Sequence, residues 1–266
     1  MIKNVVLITG SSAGIGLACA NQLHGAGWTV VGASRRGTSG AAWQGITMDV
    51  DDDEAVKDGV ARVMDEHGQL DAIVTCAGWG LAGAAETTSI DEAKAQLDTN
   101  FWGTVRVINA ALPIFREHGG GRVVVMSSIG GLIGLPFQSF YSASKFALEG
   151  YAESLAYEVA PFNIRVTLVE PGNFRTDFTQ SRRVPDTPDN DPYRAAREKA
   201  ISKMERDEAT GADPAEVARV VADVLNSSRP PRRVSVGKID ERIGLVAKRL
   251  LPFKLFERSA KHGLGI

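Results

Sequence analysis

Short β-branched runs alternate along the chain with longer stretches of helical periodicity. Val5–Ile8, Thr29–Val31, Ile46–Met48, Ala72–Val74, Val123–Val125, Val166–Val169 and Val234–Val236 are such runs, interrupted by nothing more polar than Thr or Ser, the pattern of strands buried on both faces. Helix starts between them carry an acidic or hydroxyl residue with Glu three positions on: Asp51 with Glu54, Ser89 with Glu92, and Asp213 with Glu216 around Pro214. This alternation predicts an α/β fold with a doubly wound parallel sheet covered by helices on both faces. The rhythm breaks between about 176 and 211, where polar sequence with Pro185, Pro188 and Pro192 surrounds a helix predicted at Tyr193–Arg206. That segment reads as a mobile lid. No repeat or linker divides the chain, so residues 1–266 are expected to form one domain.

With 266 residues, 44% of them hydrophobic and 23% charged, the chain can bury a sizeable core. A net charge of -2 argues against nucleic acid as a partner. Cys19 and Cys76 have no ligand-like spacing, and His24, His67, His118 and His262 are isolated, so no metal site is expected. Free thiols fit a reducing compartment. The apolar run after Met1–Asn4 is too short for a signal peptide, and no stretch approaches the roughly 20 apolar residues that span a bilayer. A cytoplasmic protein is expected.

Chemistry enters after the first strand. Thr9-Gly10-Ser11-Ser12-Ala13-Gly14-Ile15-Gly16 leads straight into a helical pattern. Glycines there let the backbone approach a diphosphate, and the unpaired amides at the helix start attract its charge. The second strand ends in Ser34-Arg35-Arg36, where an NAD-binding unit usually offers a carboxylate to the ribose hydroxyls. A missing carboxylate and two guanidinium groups favour NADP(H), through charge-assisted contacts to a 2′-phosphate. NAD stays open as the alternative, with the arginines as a solvated turn. Asp49-Val50 and Ala77-Gly78 stand at strand ends, where ligands meet an open α/β sheet.

The fifth strand ends in Ser127-Ser128, and Tyr141-Ser142-Ala143-Ser144-Lys145 opens a long helical pattern. Four residues apart, Tyr141 and Lys145 share a helix face. A phenol with a pKa near 10 becomes useful near neutrality when an ammonium stabilises its phenolate. The expected roles are proton transfer by Tyr141, lowering of its pKa by Lys145, and a hold on the substrate oxygen by Ser128.

On these residues the chain resembles the short-chain dehydrogenase/reductase family from about Ile2 to Phe178. Residues 9–16 look like its cofactor motif, Tyr141 to Lys145 like its Tyr-x-x-x-Lys, and Ser128 stands thirteen positions before Tyr141. The resemblance implies a single Rossmann-type domain and homodimers or homotetramers built partly on the helices carrying Asn100 and Tyr141. It implies a fourth catalytic residue in Asn100, which bends a helix and holds a water that links Lys145 to solvent. It also implies nicotinamide contacts from Pro171, Gly172, Phe174 and Thr176, adenine contacts from Asp49, and cofactor contacts from Asn100, Tyr141 and Lys145. Cys76-Ala77-Gly78 departs from the family's Asn-Ala-Gly, and its Asn chiefly steadies the central sheet.

The stretch around Phe140–Gly150 is similar to the subgroup of 17β-hydroxysteroid and retinol dehydrogenases. That similarity implies a hydrophobic alcohol or ketone, steroid-, retinoid- or aryl-ketone-like, as substrate. Trp79, Gly130, Leu132, Leu135, Phe137, Phe174 and Phe178 are the candidate pocket walls. Reduction is the expected direction because NADP pools are generally kept reduced. A cofactor-sensing scaffold without turnover and an NAD-linked alcohol dehydrogenase are the competing readings. From about 238 to 266 the chain mixes apolar and basic residues, as an interfacial segment, a pocket cap or an end helix packed on a subunit would, and Pro252 forbids one long helix.

Overall fold

Residues 4–38, 40–187 and 190–264 are described by the structure, a computed structural model. Pro188 of the lid, Met1, Ile2 and Lys3, the tail's last two residues and the His262 side chain lie outside that description. In chain order the elements are β1 (Val5–Thr9), α1 (Gly14–Gly25), β2 (Thr29–Ser34), β3 (Gln44–Thr47), α2 (Asp53–His67), β4 (Ala72–Thr75) and α3 (Ile90–Leu97). A π-helical turn (Asp98–Trp102) joins α3 to α4 (Gly103–Glu117), followed by β5 (Gly121–Met126), α5 (Ser139–Glu158) and β6 (Ile164–Pro171). The remainder is α6 (Phe178–Ser181), α7 (Arg194–Ala209), α8 (Ala215–Asn226), β7 (Arg233–Val236), α9 (Ile239–Leu250) and α10 (Phe253–Leu264).

The strands form one parallel sheet of order β3-β2-β1-β4-β5-β6-β7. All seven apolar runs lie in or across these strands, although β3 begins two residues before its run. Successive side chains point to opposite faces, and both faces are packed, which is why most of the runs carry little polar alternation. Val5 and Leu7 point into a core with α2, α4 and α5, while Val6 and Ile8 point into one with α1 and α8.

Caps fix where helices begin. Ser89 and Glu92 form the expected reciprocal box, with Glu92 N donating to Ser89 Oγ at 3.2 Å and Ser89 N to Glu92 Oε2 at 3.0 Å. Asp213 accepts from Ala215 N at 2.9 Å. The cap of α2 is one residue later than expected: Asp52 accepts from Glu54 N and Ala55 N at 2.9 and 3.1 Å. Several consecutive carboxylates compete for that role, and Asp51 is drawn instead to the Thr99 hydroxyl at 2.9 Å.

The order reverses between β1 and β4, so the carboxyl ends of these strands open a crevice. The segment expected as a lid lies against it. Arg183 pairs with the 80–82 strand through Arg183 N to Gly80 O and Ala82 N to Arg183 O, both 2.9 Å. Two buried ion pairs, Arg182–Glu208 and Arg197–Asp191, tie the segment to itself. The helix runs to Ala209, three residues past the expected end. Pro252 separates α9 from α10 as expected, and no helix among the described residues is long and apolar enough to cross a membrane.

Candidate active site

A cavity of about 800 Å³ runs along the strand ends from Arg35 and Arg36 to the lid. Its first half is the glycine loop. Gly10 and Gly14 hold φ of +67° and +54°, which L side chains rarely adopt, and a Cβ on Gly16 would stand 2.3 Å from Gly10 O. Glycine is required at these positions, and the bare backbone they leave against the start of α1 has the form of a diphosphate cradle.

Gly10, Ser12, Gly14, Ile15, Gly16, Ser34, Arg35, Arg36, Asp49, Val50, Ala77 and Gly78 all line this half. Arg35 and Arg36 are exposed at its rim. Ser11 is a correction: its hydroxyl turns away to donate to Ala33 O at 3.3 Å, and it serves the loop from below. Cys76 packs beside α1, where its thiol and burial push the Cys19 thiol well up; both cysteines are free.

The second half gathers the reacting groups. Tyr141 and Lys145 are buried one turn apart on α5, and Ser128 ends the strand-to-loop turn beside them. Burial raises the Tyr141 phenol, with the Ser128 hydroxyl pulling the other way. Lys145 donates to Met126 O at 2.9 Å, and burial lowers its ammonium to about 8 against the pull of Cys76 and Glu149. Desolvation dominates both groups, raising the phenol and lowering the ammonium.

Asn100 sits behind this pair within the π-helical turn that interrupts the run from α3 to α4. Its Oδ1 accepts from Trp79 N at 3.0 Å, while its Nδ2 donates to Trp79 O and Ser144 Oγ, both at 3.1 Å. It does not reach the cavity wall: a Cβ on Gly78 would stand 3.0 Å from Asn100 Oδ1 and 4.0 Å from Lys145 Nζ. Asn100 thus positions Gly78 and Trp79 from the rear.

Trp79, Leu135, Phe174 and Phe178 line the far end, together with Pro171, Gly172 and Thr176. The Phe178 ring meets Tyr141 edge to face at 5.8 Å, and Arg183 covers the Trp79 ring at 4.3 Å. Three expected walls need correction. Gly130 is buried under the catalytic ring, where a Cβ would press Tyr141 Cε1 at 3.1 Å. Phe137 adopts φ of 60° in a turn whose carbonyl accepts from Gly83 N at 2.8 Å, and its ring is off the cavity. Leu132 also lies outside it.

Sequence reasoning missed the wall supplied by α7, where Met204, Asp207 and Glu208 face the cavity. Their spacings of three and four are the available signal, hidden by the helix's polarity. It also missed a buried carboxylate cluster one turn beyond Lys145. Glu149 accepts from Ser127 and Arg233, and Arg233 also reaches Glu170 at 3.3 Å and Glu153 at 2.8 Å. Burial pushes Glu149 up to about 7, against its bonds from Ser127 and Arg233. Among the described residues no group of His, Cys, Asp or Glu could hold a metal.

The family profile "short chain dehydrogenase" matches residues 4–186. The chain is 36% identical to the 3-ketodihydrosphingosine reductase of Bacteroides thetaiotaomicron, over 97% of this chain and 96% of that one. It is 37% identical to human 17-beta-hydroxysteroid dehydrogenase type 1, over 88% and 77% of the two chains. A crystal structure of a short-chain dehydrogenase from Streptomyces avermitilis superposes with a TM-score of 0.82 at 32% identity, covering 98% of both chains.

Proposed function

This chain belongs to the short-chain dehydrogenase/reductase family of oxidoreductases, and from that premise we propose that it reduces the carbonyl of a hydrophobic small molecule with NADPH. The observation that carries the reading is one continuous cavity with a glycine cradle at one end and buried Tyr141 and Ser128 under aromatic walls at the other.

The loop from Gly10 to Gly16 fits a dinucleotide, because it leaves backbone where a Cβ would collide. Gly10, Ser12, Gly14, Ile15 and Gly16 would hold the diphosphate. Ser34, Arg35 and Arg36 would hold the 2′-phosphate end, Asp49, Val50, Ala77 and Gly78 the adenine side, and Pro171, Gly172, Phe174 and Thr176 the nicotinamide. When bound, the nicotinamide supplies a hydride. The absence of a carboxylate at Ser34, with two arginines at the rim, favours NADPH over NADH.

Within the chain, Ser128 donates a hydrogen bond to the carbonyl oxygen and Tyr141 gives that oxygen its proton. Lys145 steadies the phenolate that remains, and Asn100 holds the wall behind them. Trp79, Leu135, Phe174 and Phe178 exclude water and accept an apolar body. The activities for which the two relatives are named, a ketodihydrosphingosine reductase and a hydroxysteroid dehydrogenase, support a substrate of that character. Assembly into a homo-oligomer belongs to the same reading, supported by exposed Trp102 and Tyr157 next to α4 and on α5.

The test is absorbance of NADPH and NADH with a panel of long-chain 3-ketones, steroid ketones, retinal and aryl ketones. NADPH oxidation with at least one apolar ketone is expected. Cofactor binding without turnover on any member would refute the reading.

A further inference from the structure

An amphipathic helix ordinarily turns its apolar stripe toward its own protein. Helix α9 does the reverse. Ile239, Ile243, Val246 and Leu250 follow one another at spacings of four, three and four, and they are 75%, 61%, 56% and 74% exposed. The helix has no buried residue at all. Its half-buried side carries Glu241, Gly244 and Leu245.

That orientation is pinned by polar contacts. Glu241 accepts from Asn173 N at 3.0 Å and Asn173 Nδ2 at 2.7 Å, which fixes the start of α9 beside the Pro171–Gly172 turn. On the same inner side, Lys248 donates to Leu132 O and lies 5.0 Å over the Phe146 ring. The stripe therefore cannot roll inward without breaking both anchors. Phe253 and Leu255, 76% and 54% exposed, continue the apolar surface into α10.

Charge says what covers it. Arg242 and Arg249 are exposed and flank the stripe along one edge. Between Lys238 and Lys261 the acidic residues are Asp240, Glu241 and Glu257. Glu241 is turned to Asn173, and Glu257 pairs with Lys261 at 2.9 Å. Apart from exposed Asp240 on the opposite edge, the outward face is thus apolar and cationic on a chain whose net charge is -2.

We propose that α9 and α10 dock this protein on the surface of an anionic lipid bilayer. Ile239, Ile243, Val246, Leu250 and Phe253 enter the acyl boundary, while Arg242, Arg249 and Lys254 meet phosphate headgroups. The docking stands on this surface alone and does not depend on which ketone the cavity takes.

Sedimentation with phosphatidylglycerol–phosphatidylcholine vesicles, and with phosphatidylcholine vesicles alone, tests it on the full chain. Wild type is expected to pellet with the anionic vesicles and to be released by salt. The pairs Ile243→Asp with Val246→Asp and Arg242→Glu with Arg249→Glu are each expected to weaken binding about tenfold or more. All four positions are exposed, so circular dichroism of both variants should match wild type. Wild type that stays in the supernatant, or pellets as well as both variants, overturns the proposal. So does an assembly, seen by light scattering, that Ile243→Asp with Val246→Asp splits, because a second copy then covers the stripe.

Discussion

Replacing Asn100 with Ala asks whether the wall behind the catalytic pair is held by one side chain. Asn100 is fully buried and makes three hydrogen bonds. Two of its partners have other contacts: Trp79 O accepts from Gln96 Nε2 at 2.8 Å, and Ser144 Oγ donates to Tyr141 O at 2.7 Å. Trp79 N–H is left without its acceptor. An orphaned buried donor costs about 1–3 kcal/mol, and the two lost bonds add roughly 0.5–1.5 kcal/mol each where their partners are only partly compensated. A loss of about 2–4 kcal/mol is therefore expected, a large share of the roughly 5–15 kcal/mol that holds a domain together. Urea unfolding followed by tryptophan fluorescence measures it. Asn100→Asp keeps the acceptor for Trp79 N–H but loses both donors and sets a buried carboxylate against Trp79 O, so it should be no more stable than Ala. A change below about 0.5 kcal/mol in Asn100→Ala, with turnover intact, would refute the argument.

Other consequences are open to direct measurement. Arg35→Asp should weaken NADPH about 10- to 100-fold, the worth of a charge-assisted hydrogen bond, and leave NADH no weaker; unchanged NADPH affinity contradicts the cofactor reading. Glu149, raised to about 7 mainly by burial, binds its proton more tightly folded than unfolded. Its stabilisation is complete below the unfolded value of about 4.3 and fades as pH rises through about 7. The stability of Glu149→Gln relative to wild type should accordingly increase from pH 5 to pH 7.5, and a flat difference would show that Glu149 does not titrate there. Lys145, lowered to about 8 by burial, loses its charge as pH climbs through that value, so kcat/KM for the cofactor should fall on the alkaline side. In Lys145→Met that limb should disappear along with most of the rate.

The fold was legible because each strand is centred on a short β-branched run and its helices are capped by local signals. Those features are carried by neighbours in sequence, as at Ser89 and Glu92. Where several residues could serve equally, the reading slipped: Asp51 and Asp52 both offer a carboxylate, and only the distant Thr99 decides between them. That Ser128, Tyr141, Lys145 and the glycine loop meet in one cavity was likewise legible, since their spacing is set by one helix turn and one strand-to-helix turn. The misreadings at Gly130 and Phe137 concern the direction of a turn, which a left-handed φ at Phe137 alters without any glycine to announce it. Glu149 and Arg233 were illegible because they are 84 positions apart and meet only once β7 has paired with β6. The outward stripe of α9 was visible as an amphipathic pattern, but which side faces the protein depends on Glu241 finding Asn173.

The central claim is that Tyr141 supplies the proton for hydride reduction of a carbonyl. It is tested most directly with cofactor deuterated at the transferring C4 position and a ketone that the wild type turns over. The account predicts deuterium on the carbinol carbon of the product, and in Tyr141→Phe a fall in rate of about 100-fold or more with cofactor affinity little changed. Unlabelled product, or Tyr141→Phe turning over at the wild-type rate, would contradict it.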